Sequence, residues 1–385
     1  MLLGYGAKNC WSFKEWIDID LSLDANVPTD TSMNLEAATA MCFKGANASG
    51  KTNALKVFAF ITDFATNSFL NKPDTPILFD TYFMNKEPAE FYIEFTVNKV
   101  YYLYQFTVST NEILEEHLSR KLAAPKSRET EIFTRKKNEI IKNTLYKGHV
   151  DIIFRKNASF ISTLVQYGLT EINDVYNFLY SNIINVSYTG LNSKFDENIN
   201  TISRIYFESH TKLLFAQEKI RMFDTGIKKI EILSRKDEKN NIIYFPVFYH
   251  EVENNKDMPF LFEQESSGTR KLFCNLLLYA TVLEKGSILI LDEFDINIHP
   301  EILPVLLKLF IVKDNNPNNA QLIFTTHNND IMDLLGKYRI YLFQKEEGES
   351  YCYRLDETPL RNDRSILTPY KKGLIGGVPK IKTNS

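Results

Sequence analysis

Gly45-Ala46-Asn47-Ala48-Ser49-Gly50-Lys51-Thr52 fits the pattern G-x-x-x-x-G-K-[ST] without a mismatch. These types at this spacing suit the holding of a phosphate chain. Glycines permit the close approach and unusual dihedrals by which backbone N–H groups wrap phosphate oxygens. Lys51 is placed to reach the β- and γ-phosphates, and the Thr52 hydroxyl to take a Mg²⁺ coordination position. From Asn53 onward the chain reads as a helix, whose positive dipole end adds to the anion site. The alternative is a chance match in a strand–turn–helix. The flanks favour function: Ala40-Met41-Cys42-Phe43 reads as the incoming strand, and Leu55, Phe58, Phe60, Ile61 and Phe64 follow at roughly helical spacing.

A second candidate site lies far along the chain. Ser287-Ile288-Leu289-Ile290-Leu291-Asp292-Glu293 is a continuous apolar run that ends in adjacent acids. Such a run suits a central parallel strand covered on both faces, and ligands of such sheets lie at the strand carboxyl ends. Asp292 is then a Mg²⁺ holder, mainly through water, and Glu293 the carboxylate that polarises an attacking water. Alone, the same run could be a buried strand followed by a helix cap. Paired with the phosphate loop in this order, it points to nucleotide chemistry. Asp295 to Pro300 follows, a loop suited to touching a neighbouring subunit, although Asp295 could be a mere N-cap and His299 a mere loop histidine. Gln321-Leu322-Ile323-Phe324-Thr325-Thr326-His327-Asn328 is another strand ending in polar residues, and His327 is placed to sense a γ-phosphate.

Ser266, Ser267, Gly268 and Thr269 precede the apolar helical segment carrying Leu272, Phe273, Leu276, Leu277 and Leu278. A helix N-cap accounts for the serine and threonine. A serine and glycine at a helix start also form an anion site. One nucleotide does not need two such helices from one subunit. A dimer in which this helix caps the partner's γ-phosphate explains both.

The elements that must position these residues alternate. Ile17, Ile19, Leu21 and Leu23 mark a half-buried strand over 16–23, and 91–97 and 101–108 read as an aromatic-rich hairpin around Asn98-Lys99. Residues 159–232 carry helical spacing, and Asp237 to Asn241 is a charged turn between strands. A helix is expected over 268–284, a strand at 287–291, a helix at 301–312 and a strand at 321–326. That alternation implies an α/β core. The expected domains are an N-terminal lobe over 1–158, a small helical insertion over 159–235 and a C-terminal lobe over 236–385. Lys+Arg is 45 and Asp+Glu 48, a formal net charge of −3, which excludes a protein that coats nucleic acid over its whole surface. The four cysteines are far apart and form no CxxC, which argues against zinc and disulfide frameworks and for reduced cytosolic thiols. No run resembles a signal peptide or a membrane span. A cytoplasmic protein with no membrane partner is expected.

The order of these motifs resembles the ABC-type ATPases of the SMC, Rad50, RecF and OLD branch. Asn9-Cys10-Trp11-Ser12-Phe13-Lys14 is similar to that branch's N-terminal strand motif, and Glu265-Ser266-Ser267-Gly268-Thr269 stands where transporters carry Leu-Ser-Gly-Gly-Gln. Thr325-Thr326-His327-Asn328 and the tail from Tyr370 to Pro379 resemble, more narrowly, the compact ATPases of abortive-infection and phage-defence operons, similar to RloA, AbiL and the PARIS ATPase AriA. The resemblance implies a P-loop head with a mixed sheet, an antiparallel β subdomain and a small mainly helical insertion. It implies ATP and Mg²⁺ as cofactors, slow hydrolysis and an ATP-dependent head-to-tail homodimer or higher oligomer. It further implies a sensor or regulatory role beside a separate effector such as a nuclease or toxin. The stretch between Lys51 and Ser266 is too short for a long coiled-coil arm, and the stretch after His327 too short for a further nuclease domain. No glutamine is assigned to the Q-loop, since Gln105 is expected to pack within its hairpin. An alternative is a RecF-like ATPase that closes on DNA. Its discriminator is whether Lys126, Arg128, Arg135, Lys136, Lys137, Lys142 and Lys147 form one basic face. A non-hydrolysing ATP sensor is a third reading, against which the Asp292-Glu293 pair argues.

Overall fold

The structure, a computed structural model, describes residues 1–122, 127–146, 152–191, 198–223, 226–252, 256–296, 298–361 and 364–378. Strands β1 (Leu2–Lys8), β2 (Ile17–Asp20), β4 (Ala89–Val97), β5 (Val100–Val108), β6 (Ile113–Leu122), β7 (Thr130–Lys136) and β8 (Glu139–Asn143) form a seven-stranded antiparallel sheet in the order β2-β1-β4-β5-β6-β7-β8. Period-two patterning builds it: on β4, Phe91, Ile93 and Phe95 are buried while Glu90, Tyr92 and Glu94 are half-exposed. The Asn98-Lys99 hairpin forms as expected, with both turn residues at positive φ. The strand expected over 16–23 is shorter, ending at Asp20.

After a short helix α1 (Thr29–Ser32), β3 (Ala40–Gly45) enters the central sheet. With β9 (Ile183–Ile184), β15 (Ile288–Leu291), β16 (Gln321–Thr325), β17 (Ile340–Glu346) and β18 (Glu349–Arg354) it makes a six-stranded sheet ordered β18-β17-β3-β16-β15-β9. All pairs are parallel except β17–β18. Both faces are covered, which is why 288–291 is apolar throughout. Met41, Phe43, Ile290 and Ile323 join a core with helix α2 (Lys51–Asn67) and the first sheet. Cys42, Leu289, Leu322 and Phe324 join another with α7 (Ser267–Lys285) and α8 (Leu303–Ile311). Buried Gln321 ties the two sheets together: Oε1 accepts from Leu2 N at 2.7 Å, and Nε2 donates to the Leu2 and Ala38 carbonyls at 3.0 Å.

The stretch 159–235 is divided between these layers. Helices α3 (Phe160–Gln166) and α4 (Asn173–Tyr180) pack on α2, β9 pairs with β15, and the hairpin β10 (Val186–Ser187)–β11 (Gly190–Leu191) lies against α2. Helices α5 (Ile199–Glu208) and α6 (His210–Met222) pack on α7 and on a three-stranded antiparallel sheet of β12 (Ile227–Lys236), β13 (Ile242–Val252) and β14 (Lys256–Leu261). The Asp237–Asn241 turn joins the first two of these strands, its carboxylate accepting from Asn241 N at 2.7 Å.

One expectation is corrected, and the discriminator of the DNA-clamp alternative is answered. Gln105 does not pack; it is exposed on β5, opposite Tyr92 and His117, because its neighbours Tyr104 and Phe106 take the buried face. Nor do the described basic residues form one free cationic face. Arg135 is fully buried on β7, 3.5 Å from the Glu116 carboxylate and donating to the Lys137, Ala158 and Arg155 carbonyls. A guanidinium survives burial only with such partners. Lys136, Lys137 and Lys142 face Glu115, Glu112 and Glu131, while Arg128 is exposed. Lys126 and Lys147 lie outside the described residues. Among the described residues no helix is long and apolar enough to cross a membrane.

Candidate functional site

The phosphate loop bridges β3 and α2. Asn47 and Ala48 are exposed at its tip, with Ala48 at φ +60°, while Ser49 is buried and its Oγ has no partner among the described residues. Gly50 is at φ +109°, and a Cβ there would lie 2.8 Å from the Ser350 side chain. On Gly45 a Cβ would lie 2.5 Å from the Phe343 carbonyl oxygen and 2.7 Å from Ser49 Oγ. Both glycines are therefore dictated by close approach. Lys51 Nζ donates to the Gly45 and Ala46 carbonyls at 2.9 and 2.8 Å, which centres the ammonium over the loop. Burial pulls its pKa below the ordinary lysine value, against the opposing pull of Asp292. Asn53 Nδ2 donates to Ser12 Oγ at 2.7 Å, fastening the helix start to the N-terminal motif.

Asp292, at the end of β15, is brought to this loop. Thr52 Oγ1 donates to Asp292 Oδ2 at 2.8 Å, and Thr325 Oγ1 to Asp292 Oδ1 at 2.5 Å. The next residue, Glu293, is held with φ +54° and donates its amide to Thr325 Oγ1 at 2.8 Å. A left-handed non-glycine residue at a strand end is a costly conformation of the kind that gathers at functional sites. Asp295 accepts from the amides of His327, at 3.2 Å to its nearer oxygen, and Asn328, at 3.2 Å. The His327 side chain is exposed. His299 Nδ1 accepts from Glu301 N at 3.3 Å as a local cap, and Asn297 lies outside the described residues.

Ser266 caps α7, its Oγ accepting from Thr269 N at 3.1 Å. Ser267 is exposed, Gly268 half-buried and Thr269 buried. Among the described residues, no hydrogen bond joins this helix start to the phosphate loop, the acids or His327. The phosphate loop, the acids and the His327 loop thus converge, whereas Ser266 and Ser267 of the signature face outward.

The donor types fit the groups expected here. A phosphate suits a loop with close-approaching glycines, a lysine and an unpartnered buried hydroxyl. Thr52 Oγ1 and the Asp292 carboxylate are the oxygen donors that Mg²⁺ prefers. Beside Asn53 lies a cleft of about 300 Å³ whose walls include Trp11, Ser12, Phe83 and Met84.

Asn185 escaped the sequence reading. Its Nδ2 donates to the Asp292 carbonyl at 3.0 Å, and its Oδ1 accepts from Asp292 N at 2.8 Å. The only signal is Ile183-Ile184 before it, an apolar run too short to stand out. We predict that Asn185→Ala leaves nucleotide affinity nearly unchanged and lowers single-turnover hydrolysis by about 10-fold, because the Asp292 peptide loses both partners at a cost of about 1–3 kcal/mol. Unchanged single-turnover rates would show that the clamp does not matter to the acid.

The fold has counterparts among known proteins. The chain is similar to the structure described as "Crystal structure of the SmcHead bound to the C-winged helix domain of ScpA", at 12% identity over 92% of this chain and 98% of that one, with a TM-score of 0.52. It is also similar to the "SMC head domain from Thermotoga maritima", at 14% identity over 92% and 98%, with a TM-score of 0.45. No curated protein matches. The fold is the mixed α/β head of the SMC and ABC-type ATPases, with an antiparallel sheet beside the central one. Residues 40–333 match the model described as "AAA domain, putative AbiEii toxin, Type IV TA system", and the chain belongs to that family.

Proposed function

We propose that this protein binds ATP with Mg²⁺ and hydrolyses it slowly. The observation that carries the reading is the hydrogen-bond chain from Thr52 through Asp292 to Thr325 and the Glu293 amide, which joins phosphate loop and acids into one site. Lys51 and the loop amides hold the phosphates, Thr52 and Asp292 hold the metal, and Glu293 takes a proton from water. His327 faces the γ-phosphate, and the cleft beside Trp11 and Phe83 takes the base. Mg²⁺, when bound, neutralises charge on the phosphate oxygens.

The outward signature supports a head-to-tail homodimer in which Ser266 to Thr269 of one subunit complete the site of the other. Along the chain, 1–158 carries the loop and 236–385 the signature, acids and switch histidine, while 159–235, first expected as a mainly helical insertion, is shared between the layers, with β9 in the central sheet and β12 running across the boundary. At the level of the cell, this is the regulatory ATPase of an abortive-infection system, of the kind that RloA, AbiL and AriA represent, controlling a separate effector in the cytoplasm. The family description, which names a toxin of a toxin–antitoxin system, supports that setting. The similar SMC head is bound to a segment of another protein, which supports heads of this fold working through a partner.

Mass in solution with and without ATP tests the dimer. Wild-type protein should shift from monomer to dimer with ATP. Gly268→Trp should bind ATP as a single subunit yet stay monomeric, because a bulky side chain at the helix start keeps the partner's phosphate away. A Gly268→Trp protein that dimerises and turns over normally would remove the signature from the site.

A further inference from the structure

Lys44, immediately before the phosphate loop, is among the largest fully buried side chains, at 2% exposure. Among the described residues no carboxylate lies within ion-pair distance of its ammonium. Instead Nζ donates to the Thr326 carbonyl at 3.0 Å and the Asn328 carbonyl at 3.1 Å. It also lies 5.9 Å from the centre of the Tyr370 ring, within cation–π range. Taking an ammonium out of water costs several kcal/mol unless its surroundings repay it, so a lysine in place of an apolar residue here asks for a reason.

The two carbonyls bracket His327. On the other side of the same loop, the Asp295 carboxylate accepts from the amides of His327 and Asn328. The loop backbone is therefore held between a cation on its carbonyls and an anion on its N–H groups, with the imidazole left exposed. The cover over Lys44 comes from the tail. Helix α10 (Leu367–Lys371), which carries Tyr370, is anchored by Asp333 of α9 (Met332–Leu335), whose carboxylate accepts from Ile366 N at 2.6 Å and Leu367 N at 3.1 Å. Tyr370 OH donates in turn to the Gly377 carbonyl at 3.3 Å.

We propose that Lys44 is a positioning residue that aims His327, by locking the carbonyls on either side of it to the strand that carries the phosphate loop, with the Tyr370 segment as its lid. This rests on the role given to His327 above. It also goes beyond that role, since the last residue of the strand entering the loop and the C-terminal segment become parts of the same device.

The test combines two readouts on the full-length protein. In the first, amide hydrogen exchange is measured without nucleotide. Lys44→Met should raise exchange at His327 and Asn328 about 10-fold or more, the scale expected when a held loop gains freedom, with little change in melting temperature. Lys44→Gln, which keeps an N–H donor, should restore part of the protection and serves if the Met variant folds poorly. In the second, turnover is compared across Lys44→Met, His327→Ala and the double variant. A residue that acts through His327 adds nothing once the imidazole is gone, so the double variant should match His327→Ala. Multiplying losses, or unchanged exchange at 327–328, would overturn the proposal. If the wild type shows no turnover at all, the ATPase reading falls, and the exchange measurement still decides whether Lys44 holds the loop.

Discussion

Glu293→Gln is expected to lower ATP turnover by at least ~100-fold, the usual worth of a positioned general base, while ATP still binds. Glutamine keeps the length and shape of the side chain but cannot take a proton from water. The backbone should be indifferent to the change. Its left-handed turn at φ +54° and the amide bond to Thr325 involve main-chain atoms that both residues share. Asp292 remains tied to Thr52 and Thr325, so the metal-holding acid stays in place. With binding intact and turnover gone, the dimer closed by ATP should accumulate. Phosphate release gives the first quantity and light scattering the second. Turnover near the wild-type rate would place the general base elsewhere, with His327 the next residue to test.

The parts of this site that were legible in the sequence share one physical trait: the chemistry and the local structure are set within a few consecutive residues. Gly45 to Thr52 carries its own turn, helix start and functional groups, and Ser287 to Glu293 its own strand and acids, so spacing alone revealed them. What stayed hidden depends on long-range placement. Asn185 reaches Asp292 only because a two-residue strand, β9, pairs beside β15. Lys44 meets the switch loop only because β3 and β16 are neighbours in the sheet.

The basic residues show the opposite error. Arg135, Lys136 and Lys137 are consecutive and read as a surface run, yet alternation along β7 sends Arg135 inward to Glu116 and Lys136 outward to Glu115. Charge counts along a chain do not show which cations already have a partner across the strand. The pairing weakens the DNA-clamp reading at the residues chosen to test it. For Gln105 the same alternation was available in the sequence: with Tyr104 and Phe106 inward, Gln105 must point outward.

Lys51→Ala is expected to weaken ATP binding by roughly 10- to 100-fold, the equivalent of about 1.5–3 kcal/mol for hydrogen bonds to a charged group, and to abolish biological activity without unfolding the protein. Among the described residues, the ammonium bonds to the Gly45 and Ala46 carbonyls. Those carbonyls belong to a half-exposed stretch of loop that water can serve when the lysine is gone, so the loss falls on binding and not on the fold. Nucleotide titration decides the first point and thermal melting the second. Mixing then tests how the site is built. Gly268→Trp spoils the signature of its own subunit but leaves its phosphate loop intact, and Lys51→Ala does the reverse. In a head-to-tail pair of one of each, both lesions meet in a single site, and the other site is made wholly of intact parts. The mixture should therefore recover up to one working site per dimer, where either variant alone recovers none. Full affinity in the Lys51→Ala protein would remove the phosphate loop from the site. No recovery in the mixture, with both variants folded, would mean that each subunit works without its partner's signature or that hydrolysis requires both sites at once, and Glu293→Gln in one subunit alone separates these.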